Sequence, residues 1–497
     1  MNKHPLLFLL LFLSLLIGQR LQSQEINAVV KDSLTQEVIP YASVYLSSGK
    51  GVIGNEEGRF RLQLKNPSYK DSLSISCLGY QTNHYLVSQF KDSIVWLSPK
   101  AIALNTVILS NNPLSAEDII KEIKKDIPLK YELGLTRKKL FFRTSGTQEF
   151  NTLKATLKKS SIDEFDQTFW ESTLQKAPRK NDWYIEVLGT LYGGQKKENQ
   201  KLDIEKALEL EDKKTSAIFK NIEKAFDTIL KQNVKADSYF KVRLGIISKK
   251  LDGVDFNPSE KDTLSPEEKK DKEKQDFLNW QKSSITSILN SIFDEDKLNL
   301  NILKKSSQYH FEQVDFTFYG ETPVYVLRFS PISRGKFTGK LYVDADQMTM
   351  IRMEYKNTRP LRDFDLFGLF FKYHYKEVVI QFTKINSGKY SPQYLEISNG
   401  YKMGADRSFT LLEKNKHVRG RKKQNELKMV LNLQQDQFEK FQMVIFETLP
   451  LTQQAYDAVE EKALVVPVNL TQYDPTFWKG HTIIEPNQAI KNFKVSE

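Results

Sequence analysis

Residues 25–46, EINAVVKDSLTQEVIPYASVYL, decide the fold class of the first part of the chain. Ile26, Ala28 and Val30 alternate with polar neighbours, and Ala42, Val44 and Leu46 repeat the pattern, the period-2 sign of half-buried strands. Residues 32–38 between them are a polar turn, and Pro40 opens the next strand, where its missing N–H is tolerated. Further out, Gly49, Gly51 and Gly54 supply turn conformations, and residues 55–58 form a tight turn leading into Phe60, Leu62 and Leu64. Leu73, Ile75 and Cys77 make another strand that ends at Gly79-Tyr80, and residues 93–97 close the set. Short strands at this spacing, without a helical period, predict a small β-sandwich over residues 25–110.

Four motifs stand in order along this stretch: Val30-x-Asp32, Ile39-Pro40-Tyr41-Ala42-Ser43-Val44, Gly54-Asn55-Glu56-Glu57-Gly58-Arg59-Phe60 and Cys77-Leu78-Gly79-Tyr80. Together they resemble the carboxypeptidase regulatory-like domain, a transthyretin-like sandwich of Gram-negative envelope proteins. The chain departs from the common pattern at Glu56, where Asp is usual, and at Cys77, where an aromatic or β-branched residue is frequent. The resemblance implies an adapter without peptidase residues. Gly58 then provides a turn, Phe60 plugs the core, and Gly79 with Tyr80 forms a corner whose ring is buried and whose hydroxyl lies near water. Asn55, Glu56 and Glu57 could hold a cation, but a turn with solvated acids is the preferred reading. Cys77 reads as a small buried hydrophobe.

The chain has 497 residues, 40% hydrophobic and 27% charged, enough for a sizeable core and for two or three domains. One cysteine excludes a disulfide framework and a cysteine metal cluster. Residues 1–24 read as a signal peptide. Lys3 and His4 precede an apolar run of about twelve residues broken only by Ser14, too short for the roughly 20 that span a bilayer. An uncleaved anchor is the alternative. The mature chain is therefore expected in the periplasm or at the periplasmic face of the outer membrane, with no spanning segment.

After the sandwich, Ser115 with Asp118 has the form of a capping box, opening a linker helix within 111–135 that Pro128 stops. Residues 136–497 are expected to form an α+β, half-barrel-like curved antiparallel sheet with a charged helical insertion at about 197–295, so that the whole chain is mostly β with α. In the insertion, Ile204, Leu208, Phe226, Ile229 and Leu230 recur at helical spacing. Residues 257–275 look like a Pro- and charge-rich break, and Phe277, Leu278, Ile285, Ile288 and Leu289 mark a second helix. Strands are expected at 139–145, 183–188, 372–385, 394–399, 409–412 and 426–433, with a hairpin turning at Asp344-Ala-Asp-Gln347. Gly339-Lys-Leu-Tyr-Val-Asp344 followed by Met350-Ile-Arg-Met-Glu354 resembles the hairpin of periplasmic lipoprotein-carrier-like domains, which implies a curved sheet and helical lid sheltering an acyl chain. The aromatic segment from Tyr473 through Trp478 to Ile490 is expected to pack back on this sheet.

No phosphate-binding loop, dinucleotide fingerprint, Gly-x-Ser-x-Gly elbow or His-Glu-x-x-His occurs in the sequence, so no catalytic, cofactor or metal residue is assigned. Asp344 and Asp346 suit a turn better than a calcium loop, which needs a glycine and a distal glutamate. His310 and His374 lie in strand-like runs; one shared cavity is the functional reading, and packed or surface residues are the preferred one. Arg419, Arg421, Lys422 and Lys423 form the densest basic cluster, either a solvated loop or a contact for anionic lipid or glycan. The charges elsewhere mix both signs, which argues against nucleic acid. The reading is a non-enzymatic envelope protein that binds an outer-membrane protein, lipid or glycan. A hydrolase of envelope polymers and a structural spacer are the alternatives, and oligomeric state stays open.

Overall fold

The computed structural model describes residues 24–47, 51–64, 71–100, 114–194, 199–213, 224–230, 232–234, 238–245, 247–251, 265–294, 297–366, 368–415, 417 and 423–495. The expected signal peptide, up to residue 23, and the expected strand at 103–109 lie outside them. The fold is mostly β with α. Its contacts divide the chain into two units: one runs to Pro99 and adds Pro475–Asn487, and the other takes Lys100–Asp474 with Gln488–Glu497.

Among the described residues the first unit carries seven short strands: β1 Gln24–Asp32, β2 Ser43–Leu46, β3 Gly51–Ile53, β4 Arg59–Leu64, β5 Ser72–Ser76, β6 Asn83–Leu86 and β7 Ile94–Leu97. They form two sheets, β4-β1-β7 and β3-β2-β5-β6, with β1 antiparallel to β4 and parallel to β7. Every second residue faces inward, so Val30, Val44, Phe60, Leu73, Ile75 and Leu97 are buried. Each contributes about 1.5–3 kcal/mol relative to exposure.

The C-terminal segment differs from expectation. Of the expected segment 473–490, residues 475–487 belong to this first unit, whereas 473–474 and 488–490 go with the second. Trp478, Ile483 and Ile484 are buried, Thr482 Oγ1 accepts the Gln63 N–H at 3.2 Å, and Glu485 meets Arg61 at 3.0 Å. The reason is complementarity. The segment brings three apolar side chains and the acid that Arg61 on β4 requires.

The second unit is built on β8 Thr136–Ser160, β9 Lys180–Gly193, β10 Gln200–Glu211, β11 Ser238–Leu244, β12 Ile247–Leu251, β13 Phe293–Asp294, β14 Lys297–Leu298, β15 Tyr309–Tyr319, β16 Thr322–Pro331, β17 Phe337–Asp344, β18 Thr349–Asn357, β19 Arg362–Leu366, β20 Leu369–Lys384, β21 Tyr390–Asn415, β22 Lys423–Pro450 and β23 Val468–Leu470. One sheet runs β15-β16-β17-β18-β20-β21-β22-β8-β9-β10-β23. The β11–β12 hairpin joins β21, and β19 joins β20. Neighbours are antiparallel except β10 and β23.

The helices are α1 Ala116–Glu122, α2 Ile127–Lys130, α3 Gln167–Lys176 and α4 Pro266–Asn290, followed by shorter turns. Ser115 Oγ accepts the Asp118 N–H and caps α1, which turns Ile119 and Ile120 inward against β15. On α4, Leu278, Ile285, Ile288 and Leu289 are buried, and the Thr286 hydroxyl donates to Gln200 Oε1 on β10 at 2.6 Å.

Several boundaries differ from the sequence reading. Pro128 lies in the first turn of α2 and so begins a helix there, because a first-turn residue has no intrahelical use for its N–H. Ile204 and Leu208 sit on strand β10, within the stretch expected to be a helical insertion. A bulge between Ile204 and Lys206 shifts the register by one, so Ile204, opposite Gly189, and Leu208, opposite Glu186, face opposite sides of the sheet, and their spacing of four mimics a helical stripe. Residues 266–275, read as a break, are the start of α4, where Ser265 and Glu268 complete a capping box beside Pro266. The segments 394–399 and 409–412 are parts of the single strand β21.

Candidate functional site

In the first unit the motif residues converge on turns. Asp32 Oδ1 accepts the N–H groups of Leu34 and Thr35 at 2.7 and 3.1 Å, and Oδ2 accepts the Tyr80 hydroxyl at 2.9 Å. The Thr35 and Leu34 amides, with Tyr80, hold the Asp32 carboxyl below its ordinary range. Burial, then the bond to Asp32, pushes Tyr80 up to about 12. The hydroxyl therefore latches Asp32 and is not simply solvated. Gly58 has φ +69°, and a Cβ there would stand 2.8 Å from the Val30 carbonyl oxygen. Gly79 also takes a positive φ, and Phe60 is fully buried. Asn55 Oδ1 accepts the Glu57 and Arg59 amides, each at 2.9 Å, so this side chain shapes the turn. Cys77 is half-buried.

Of the basic cluster, Arg419, Arg421 and Lys422 lie outside the described residues. Lys423 opens β22 and pairs with Glu426. His310 on β15 is exposed, and His374 on β20 is separated from it by β16, β17 and β18, so the sheet does not bring the two together. Burial holds His374 below its ordinary value. Asp344 Oδ1 accepts the Asp346 and Gln347 amides at 2.8 and 3.0 Å, and Oδ2 accepts the Tyr390 hydroxyl at 2.6 Å, the bonding of a turn. Among the described residues no cluster of three or more His, Cys, Asp or Glu could hold a metal ion.

The near part of the long strands carries a buried polar ladder that sequence reading missed. Arg143 Nε on β8 donates to Glu186 Oε1 on β9 at 2.6 Å, with side chains 1% and 0% exposed. Arg143 also reaches Gln442 Oε1 on β22 at 3.5 Å, and Gln442 Nε2 donates to Glu396 Oε2 on β21 at 2.9 Å. Glu396 accepts the Tyr394 hydroxyl at 2.6 Å and meets Lys440 at 3.3 Å. Two acids thus face two cations across four adjacent strands. Such a set holds register, since removing one member strands another in a dry site.

Nearby, Lys138 is enclosed beside a cavity of about 10 Å³ lined by Leu191, Gln200, Leu289 and Phe293, the room of one water. Its ammonium donates to the Thr136 hydroxyl, and burial pushes it down to about 8 against the opposing pull of Glu132.

An apolar strip crosses the β19–β20–β21 edge. Phe364 stands opposite Phe371 and Phe371 opposite Met403, while Leu366 stands opposite Leu369 and Leu369 opposite Ala405. Directly opposed residues share a face. Tyr373 packs against Tyr401 in the adjoining row with ring centroids 4.7 Å apart and the planes tilted by 31°, and burial raises both phenols. Phe364 is 47% and Leu366 44% exposed, and the others are half-buried. Gly368, with φ +76°, makes the turn. The signal legible in sequence was the run Phe364-Asp-Leu366 and Gly368-Leu-Phe-Phe371, apolar around a glycine.

No helix among the described residues is long and apolar enough to cross a membrane. No family model matches the chain, and no curated protein matches it. Among solved structures, a Bacteroides fragilis protein of unknown function, provisionally called membrane-associated, aligns over 85% of this chain and 97% of its own at 8% identity and a TM-score of 0.13. At that score the likeness carries no argument about fold or role.

Proposed function

We propose that the chain is an exported, non-enzymatic envelope protein in which a regulatory-like sandwich serves as adapter and the large sheet binds a ligand or partner at the periplasmic face of the outer membrane. The observation that carries this reading is the half-open strip Phe364–Phe371–Met403. It is an aromatic and aliphatic face on an edge hairpin, where contiguous apolar exposure marks contact surfaces. The leader and the sandwich motifs support the address.

The test is native mass spectrometry and cross-linking of the chain isolated from envelopes, alongside Phe364→Ser/Phe371→Ser. The wild-type chain is expected to carry a lipid, glycan or outer-membrane protein. The double variant should lose it about tenfold or more at an unchanged melting temperature. A wild-type chain with nothing bound, or equal recovery by the variant, overturns the reading.

A further inference from the structure

At its far end the same sheet places cations side by side. Register carries one row across four strands: Arg243 stands opposite Thr410, Thr410 opposite Lys428, and Lys428 opposite Lys159. The next row on one side sets Lys250 opposite Lys241, and two rows away on the other side Lys154 stands opposite Asn432, which in turn faces the exposed Asp406. Bulges at Asn151 and at Lys158 in the pairing with β22 shift β8 by one residue each. Arg143, Lys154 and Lys159 consequently share one face despite their mixed parity. Lys154, Lys159, Arg243, Lys250 and Lys428 are exposed and Lys241 is half-buried.

The reverse face of this stretch is closed. Ala155, Leu157, Phe409, Leu427 and Met429 pack there against Phe165 and Trp170, with Phe226 and Leu230 from residues 224–230. The cationic side therefore stands as the available one. Glu426 offsets part of the charge, meeting Lys159 at 3.2 Å and pairing with Lys423. Lys154, Lys241, Arg243 and Lys428 meet no acid among the described residues.

Like charges placed directly opposite in an antiparallel pair weaken it, and this face does so twice, at Lys159–Lys428 and Lys241–Lys250. Glu426 relieves Lys159, and Lys250 lies 4.7 Å over the Tyr239 ring, yet the lysine pairs themselves add nothing to strand pairing and leave a surplus of cations facing solvent. Five adjacent strands at about 4.8 Å spacing spread the cations over a plane about 20 Å wide. That geometry fits many anions in a layer and does not enclose a single phosphate. We infer that this face docks on an anionic lipid surface. The inference rests on the envelope reading, which puts a membrane within reach, but it uses different residues from the apolar strip.

The experiment is sedimentation of the purified full chain with phosphatidylcholine vesicles, with and without phosphatidylglycerol. The wild-type chain should partition onto the anionic vesicles, and salt should weaken this as the screening length shrinks. Each cation removed should weaken partition about fivefold, so Lys159→Gln/Lys428→Gln should lose about 25-fold with no loss of thermal stability. Equal binding to both vesicle types, or equal binding by the double variant, overturns the inference. So does a duplex DNA of comparable charge that outcompetes the vesicles. Cell fractionation separates this from the broader reading. Envelope location without vesicle binding sinks the docking face alone, whereas cytoplasmic location with vesicle binding sinks the envelope reading and leaves the surface standing.

Discussion

On β22, Gln442 and Lys428 project from one face of one strand, yet the two ends of that strand treat charge in opposite ways. Around Gln442, Arg143, Glu186 and Glu396 are buried, Lys440 is half-buried, and each cation has an acid. Around Lys428, Lys154 and Arg243 are exposed and meet no acid. The near end uses charge to fix which strands pair. The far end keeps charge at the expense of pairing. Sheet position alone does not tell a reader which regime applies, but the cross-strand neighbour does.

Three substitutions probe this contrast. Glu186→Gln should be the most damaging. It leaves the Arg143 guanidinium uncompensated in a dry site and should cost about 3–5 kcal/mol, read as a fall in denaturant midpoint. A loss under about 1 kcal/mol would mean that the ladder is solvated and that the two ends do not differ.

Lys138→Met comes next and should stabilise by about 1–3 kcal/mol at neutral pH, because it removes a buried charge and keeps the volume. Lys138 falls to about 8 in the fold from an ordinary 10.5, so the unfolded chain binds the extra proton between those values. Wild-type stability gains from this group as pH rises through that window, and the penalty is fully present below about 8. The advantage of the variant should accordingly shrink in thermal melts taken from pH 8 towards 10. A constant difference would show that the lysine does not titrate there.

Lys428→Gln should move stability least, with a gain of a few tenths of a kcal/mol at low salt from relief of Lys159. A loss above about 0.5 kcal/mol would place Lys428 among the residues that hold the fold.

Much of the sandwich was legible because its determinants are local. Alternation at Ile26, Ala28 and Val30 and the turn at Gly58 act within a few residues. Ser115 and Asp118 announced α1 for the same reason. The large sheet was legible only in pieces, since a strand as long as β21 is half covered on each face and shows no clean alternation along its length. The charge ladder was hidden altogether. Arg143 lies 43 residues from Glu186 and 299 from Gln442, and nothing beside any of them marks the partner. Of the basic residues, the dense run at 419–423 drew attention, whereas Lys159 and Lys428 become neighbours only through register.

Trp478, Ile483 and Ile484 give a further consequence, one of timing. A domain whose strands lie before residue 100 is finished by side chains from residues 478–484, so during synthesis it waits, with hydrophobic surface uncovered, until that distant segment has been made. A shortened product that stops before residue 475 would keep every one of the seven early strands and still lack part of their interior.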